Sequence, residues 1–196
     1  MQILAFNGSP RKTGNTSAII KAMLKGAKSE GAKTTEIRLH DIILKGCMGC
    51  LTCRKRPGKC KQQDDLSPYL EAIKTCDGVI FGTPIYMYHV TGQMKIFIDR
   101  CYSLYVSKQD GSGYTSAVPA GKTFALVTSQ GHPDVERFQK PIRWFAGMTG
   151  SGLGMVEVGR IIQGNSHLAP AKADEALLEK AYKIGQQLVK QAARKG

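Results

Sequence analysis

The feature that most restricts this chain is an alternation of short apolar runs with longer stretches whose apolar residues recur every three or four positions. Residues 2–6, 79–81 and 123–128 are too short for helices and lack a consistent polar face, as expected of strands covered on both sides. Residues 34–39 alternate as a further strand, and 154–162 read as a fifth. Between them, Ile19, Met23 and Ala27, widened by Ile20 and Leu24, mark a helix from Thr16 that stops at Gly31. Leu66, Leu70 and Ile73 mark one over 66–75 with Asp65 as its cap. Met94, Phe97, Ile98, Cys101, Tyr102 and Tyr105 form a third stripe, and Val135, Phe138, Ile142 and Phe145 a fourth. Leu177, Ala181, Ile184, Leu188 and Ala192 form the last. A loop is expected at 83–86 and a flexible tip at 109–121. Five strands alternating with five helices predict an α/β fold, with a five-stranded parallel sheet between two helical layers. Ligands of such sheets bind beyond the carboxyl ends of the strands.

A length of 196 residues suits one domain over 1–196, and neither a repeat nor a linker interrupts it. With 42% hydrophobic and 22% charged residues, the composition excludes a largely disordered chain. No apolar run approaches the ~18 residues of a membrane span, and Met1 leads directly into a strand, so no membrane association and a cytoplasmic location are expected. The net charge of +13 raises nucleic-acid binding, but the excess is spread along the chain. Helix-turn-helix, zinc-finger and RNA-binding strand signatures are absent, so no nucleic-acid partner is expected.

Four of the six cysteines, Cys47, Cys50, Cys53 and Cys60, lie in one loop at 45–62 with the spacing C-x2-C-x2-C-x6-C. Three thiols at three-residue intervals suit a cubane iron-sulfur cluster, with the fourth ligand arriving from further along. Zinc, which favours two separated pairs, and reduced surface thiols are the alternatives. Disulfides rank last in a chain expected to be cytoplasmic. The densest cationic group, Arg54, Lys55, Arg56, Lys59 and Lys61, is threaded through the same loop. Cys76 and Cys101 read as buried small hydrophobes. The four histidines are scattered, with no metal-binding pair among them.

The loop Gly8-Ser9-Pro10-Arg11-Lys12-Thr13-Gly14-Asn15-Thr16-Ser17 joins the first strand to the first helix. Its hydroxyls, cations and helix-start amides suit one phosphate, although it is neither a P-loop nor GxGxxG. The loop Gly82-Thr83-Pro84-Ile85-Tyr86-Met87-Tyr88 offers backbone amides and an apolar wall for a planar ring. Together with Cys-x-Gly-Cys-x-x-Cys, Asp64-Asp65, Lys95 and Asp99-Arg100, these motifs resemble the flavodoxin-like NADPH-dependent FMN reductase family, in particular its iron-sulfur flavoprotein branch. The specific motifs cover the first hundred residues. The resemblance implies a flavodoxin-like three-layer sandwich that binds FMN. Ser9, Arg11, Asn15, Thr16 and Ser17 would hold its phosphate, while Pro84, Ile85, Tyr86 and Met87 would line the isoalloxazine. Cys47, Cys50, Cys53 and Cys60 would ligate a [4Fe-4S] cluster, and the Ser129-Gln130-Gly131-His132 loop would also approach the flavin. No catalytic side chain is assigned, because a flavin carries the electron chemistry.

The implied function is FMN-dependent electron transfer between flavin and cluster, with NAD(P)H as a transient donor. The alternative is an NAD(P)H-dependent FMN or quinone reductase without a cluster. A flavin at the edge of one domain leaves a face open, so a homodimer or homotetramer is expected, with 94–105 and Tyr114 at the contact. The cations of the cysteine loop suit an acidic electron carrier such as a ferredoxin.

Overall fold

A computed structural model describes residues 1–194. The chain runs β1 (Gln2–Asn7), α1 (Asn15–Ser29), β2 (Lys33–Arg38), the single turn α2 (Thr52–Lys55), α3 (Ser67–Thr75) and β3 (Gly78–Tyr86). It continues through β4 (His89–Val90), α4 (Gly92–Arg100) and a 3-10 turn at Cys101–Leu104. The hairpin β5 (Tyr105–Ser107) and β6 (Tyr114–Ser116) follows, then β7 (Thr123–Ser129), α5 (Gln139–Gly147), β8 (Val156–Gln163) and α6 (Glu175–Ala193).

The main sheet has the order β2-β1-β3-β7-β8, and all four pairings are parallel. These are the five expected strands in the flavodoxin-like order, whose direction of winding reverses between β1 and β3. All seven residues of β7 are buried, as are the last five of β1. Their lack of alternation thus reflects cover on both faces. One face carries Phe6, Phe81, Phe97, Phe124 and Phe145, with Phe6 and Phe97 stacked at 4.4 Å. The other packs Ile3, Ile20, Met23, Val127 and Leu188 under α1 and α6. Those two helices touch backbone to backbone: a Cβ at Gly26 would lie 2.0 Å from the Tyr182 carbonyl oxygen, and one at Gly185 would lie 1.9 Å from that of Met23.

Several expected boundaries move. The loop expected at 83–86 is instead the end of β3, which pairs with β4 through the register Ile85↔Val90 and Tyr86↔His89. Pro84 is tolerated there because β1 pairs with β3 only as far as Gly82, so no ladder partner on that side is left without a donor. The third stripe is helical only to Arg100, after which Cys101 and Leu104 stay buried on the 3-10 turn. Part of the tip expected to be flexible forms the β5–β6 hairpin. Helix α5 starts at Gln139, leaving Val135 and Phe138 outside it. Asp65 does not cap α3; its carboxylate accepts from the Ile43 N–H at 2.9 Å. Among the described residues no helix is long and apolar enough to cross a membrane.

Candidate functional site

The switch in strand order brings the loops after β1, β3 and β7 together at the carboxyl end of the sheet. A small cup of about 150 Å³ opens there. Its floor is Ser9, Arg11, Gly14, Asn15 and Thr16; Pro84, Ile85 and Tyr86 form one wall; Ser129, Gln130, Gly131, Ser166 and His167 form the other. None of these is acidic. Helix α1 begins at the floor with Gly14 as its cap, and no side chain accepts from its first turn. The first-turn amides are therefore available to an anion, with the helix dipole behind them.

The expected phosphate residues divide by role. Arg11 is exposed at the rim, where a second, shallower recess lined by Lys12 and Lys172 adjoins the cup. The other side chains brace the protein. Ser17 is fully buried, and its hydroxyl donates to the Arg11 carbonyl at 2.9 Å while accepting from Asn7 Nδ2 at 2.9 Å. Thr16 and Ser129 share a hydroxyl hydrogen bond of 2.7 Å. Asn15 reaches across to the segment after β8, donating to the Ser166 carbonyl at 2.8 Å and accepting from the Ala171 N–H at 2.9 Å. Ser9 Oγ accepts from the Arg11 N–H at 3.2 Å. The side chains brace the cup and leave the first-turn amides of α1 without a side-chain acceptor.

The ring-side wall is similarly pinned. The Thr91 hydroxyl donates to the Gly8 carbonyl at 2.9 Å and accepts from Met94 N at the start of α4, while the Thr91 N–H is held by Thr83 Oγ1 at 3.1 Å. Pro84, Ile85 and Tyr86 line the cup, but Met87 does not. It stands 91% exposed in the β3–β4 turn, where Met87 and Tyr88 both have positive φ, 44° and 67°. A primed turn of this kind usually carries glycine or asparagine, so two bulky residues here store strain beside the site. Gln130, 1% exposed, gives both amide hydrogens away, to the His132 carbonyl at 3.1 Å and the Asp134 carbonyl at 2.6 Å. Its Oε1 is buried without a partner. An orphan acceptor in the wall of a cup suits a ligand that brings an N–H, as an isoalloxazine does. The residues present fit FMN.

The cysteine loop is organised from its neck. Arg100 and Asp64 have fully buried side chains and pair at 2.6 Å. Arg100 uses all five N–H groups: two on Asp64, one each on the carbonyls of Lys45 and Gln62, and Nε–H on Cys60 Sγ at 3.2 Å. Burial would raise the Asp64 carboxyl, but hydrogen bonds from Arg100, the Lys45 N–H and Ser67 outweigh it and hold the group below its ordinary range. The neighbouring residues Asp99 and Arg100 thus serve different partners. Asp99 pairs with Lys95 on α4, and Arg100 closes the loop.

Beyond the neck the thiols differ in exposure. Cys47 and Cys50 are exposed, whereas Cys53 and Cys60 are half-buried. Cys50 is held below the ordinary thiol value by hydrogen bonds from the Thr52 hydroxyl and then its N–H. Among the described residues no three cysteine, histidine or acidic side chains are grouped to hold a metal ion. The loop has the donors for a cluster but does not gather them in this conformation. Arg54 is not a solvated cation. Its guanidinium lies 4.1 Å from the Tyr102 ring centroid and 5.1 Å from that of Tyr114, and donates to the Tyr102 carbonyl at 2.7 Å. Cys76 and Cys101 are buried, and burial pushes the Cys76 thiol up to about 11 and that of Cys101 further. Trp144 is 42% exposed beside His89 and Lys95.

Comparison with known proteins agrees with this geometry. Residues 1–160 match the NADPH-dependent FMN reductase family. An iron-sulfur flavoprotein of Methanocaldococcus jannaschii is 36% identical over 121 residues, 62% of each chain. An iron-sulfur flavoprotein of Clostridioides difficile is 40% identical over 107 residues, 53% of this chain and 47% of the relative. The chain therefore matches about half to three-fifths of the length of these relatives. Among solved structures, an NAD(P)H:quinone oxidoreductase from Methanothermobacter marburgensis superposes with a TM-score of 0.72 over 96% of both chains at 15% identity, a likeness of fold.

Proposed function

This chain belongs to the NADPH-dependent FMN reductase family, and from that premise we propose that it is an FMN-dependent oxidoreductase with the flavin phosphate in the cup at the start of α1. The observation that carries this reading is the cup itself: an uncapped helix start, no carboxylate in the wall, and the orphan acceptor of Gln130 in the wall facing Pro84, Ile85 and Tyr86. FMN, when bound, supplies hydride chemistry towards a nicotinamide and single electrons towards one-electron carriers. The first-turn amides and Arg11 bind the phosphate. Pro84, Ile85 and Tyr86 orient the ring and exclude water from one side of it, and Gln130 accepts from a ring N–H.

The finer reading adds a [4Fe-4S] cluster on Cys47, Cys50, Cys53 and Cys60. It is supported by the thiol spacing, by the names of the relatives, and by the charged hydrogen bond that already holds Cys60. The second reading, an NAD(P)H-dependent flavin or quinone reductase without a cluster, draws on the family match alone. In the first reading the exposed cations Lys55, Arg56, Lys59 and Lys61 face an acidic carrier such as a ferredoxin. In both, a second copy of the chain covers the open side of the flavin in a homodimer or homotetramer, as the exposed Tyr86, Met87, Tyr88 and Trp144 suggest.

Protein purified without oxygen is expected to carry about one FMN with about four iron and four sulfide per chain. Flavin without iron or sulfide leaves the reductase reading. Protein that cannot be loaded with FMN, and that NADPH does not help to reduce flavin, overturns both. Arg11→Ala is expected to weaken FMN about ten- to a hundredfold, the scale of a charge-assisted hydrogen bond, and to spare riboflavin, which has no phosphate. Titration by flavin fluorescence measures both affinities, and equal losses would remove Arg11 from the phosphate site.

A further inference from the structure

Asn7 is the last residue of β1 and is fully buried, although it carries two donors and an acceptor. Its Oδ1 accepts from the Ser9 N–H at 2.9 Å, and its Nδ2 donates to Ser17 Oγ at 2.9 Å and to Glu36 Oε1 at 2.7 Å. Because Ser17 Oγ accepts from Asn7, its own proton is directed onto the Arg11 carbonyl at 2.9 Å. Arg38, at the end of β2, reaches the carbonyls of Ser9 and Pro10, both at 3.4 Å, with Asp41 on its Nε at 3.0 Å. Three successive carbonyls of the loop are therefore tied back into the protein.

A carbonyl oxygen is the negative end of its peptide dipole, so any of these three turned into the cup would repel a dianion. Tying back the Arg11 carbonyl also sends the N–H of the same peptide, that of Lys12, the other way. We propose that Asn7 is the positioning residue that makes the cup selective for a phosphate dianion, acting through Ser17 and backed by Arg38. Glu36 fixes the direction of the relay by accepting one of the two amide hydrogens, so that the other must go to Ser17.

This inference rests on the reading of the cup as a phosphate site, and the experiment separates the two. FMN and riboflavin affinities are measured for the wild type, Asn7→Asp and Ser17→Ala, with thermal melting of each protein without flavin. Asn7→Asp keeps the acceptor for Ser9 and the side-chain shape, removes the donor to Ser17, and sets a carboxylate against Glu36. The expected result is a loss of FMN affinity of tenfold or more with riboflavin changed less than threefold. Ser17→Ala is expected to give a smaller loss in the same direction. A wild type that binds riboflavin as tightly as FMN refutes the phosphate reading itself. A wild type that prefers FMN, with variants keeping the full preference, overturns the role of Asn7 alone. If Asn7→Asp does not fold, Ser17→Ala decides by the same ratio.

Discussion

Asp64→Asn is expected to lower stability by about 3 to 5 kcal/mol, the cost of leaving one member of a buried ion pair uncompensated. For a chain of this length that is a fall in melting temperature of roughly 6 to 20 °C. The size follows from the geometry: both side chains are sealed from water, and Arg100 has no spare solvent contact to turn to. Arg100→Leu should cost as much, because it strands the carboxylate. Arg100→Lys should rescue little, since a point charge cannot fill five acceptor positions fixed by a planar fork. Replacing both residues with apolar ones of similar volume should recover much of the loss. The sign with pH also follows. The Asp64 carboxyl is depressed in the folded state, so its contribution is complete above the unfolded value of about 3.9 and is lost as the pH falls through the lower folded value. Thermal melts from pH 7 downward should show the wild type losing stability in acid more steeply than Asp64→Asn. Parallel curves, or a change below 1 kcal/mol, would show that the pair does not hold the neck.

Gly185→Ala should destabilise by about 3 kcal/mol, the upper part of the range for overpacking. Helix propensity alone points the opposite way, since alanine is about 1 kcal/mol better than glycine inside a helix. Packing wins because the added methyl would sit 1.9 Å from the Met23 carbonyl oxygen on α1, and a backbone atom of a helix cannot swing aside. Gly26→Ala, opposing the Tyr182 carbonyl, should behave alike. Gly92→Ala is the control: nothing lies within 4 Å of that position, so it should be neutral or stabilising. Denaturant titration distinguishes these outcomes, and a neutral Gly185→Ala would mean that α1 and α6 are further apart. Since α1 opens at the cup, the Gly185 variant should also lose FMN affinity.

The sheet was legible because its central strands lack polar alternation, a direct imprint of cover on both faces. Strand ends were less so. Apolar character continues from 97 to 104 while the backbone changes from α to 3-10, and a pattern of buried residues does not record that change. In the loop after β1, composition located the cup but not its wiring. Serine, threonine and asparagine brace a loop as readily as they bind a ligand, and only three-dimensional partners separate Arg11 from Ser17. Nothing local marks Asn7 as a bracing residue, because Asn-Gly is itself a turn signal and its partner Glu36 lies on the next strand. The neck of the cysteine loop escaped for the same reason. Arg100 and Asp64 are 36 residues apart, and helical spacing gives no sign that a charged residue points inward.

The clasp made by Asn15 bears on how the protein is born. The floor of the cup is made within the first 17 residues, yet the partners of Asn15 lie 151 and 156 residues further along. At roughly 5 to 20 residues per second on the ribosome, the floor waits on the order of 8 to 30 s for its outer wall. A growing chain can therefore expose the helix start to any passing phosphate but cannot enclose a nucleotide. Enclosure of a ligand waits until the chain has been made past Ala171, so the early floor and the late wall of the cup close together rather than in sequence.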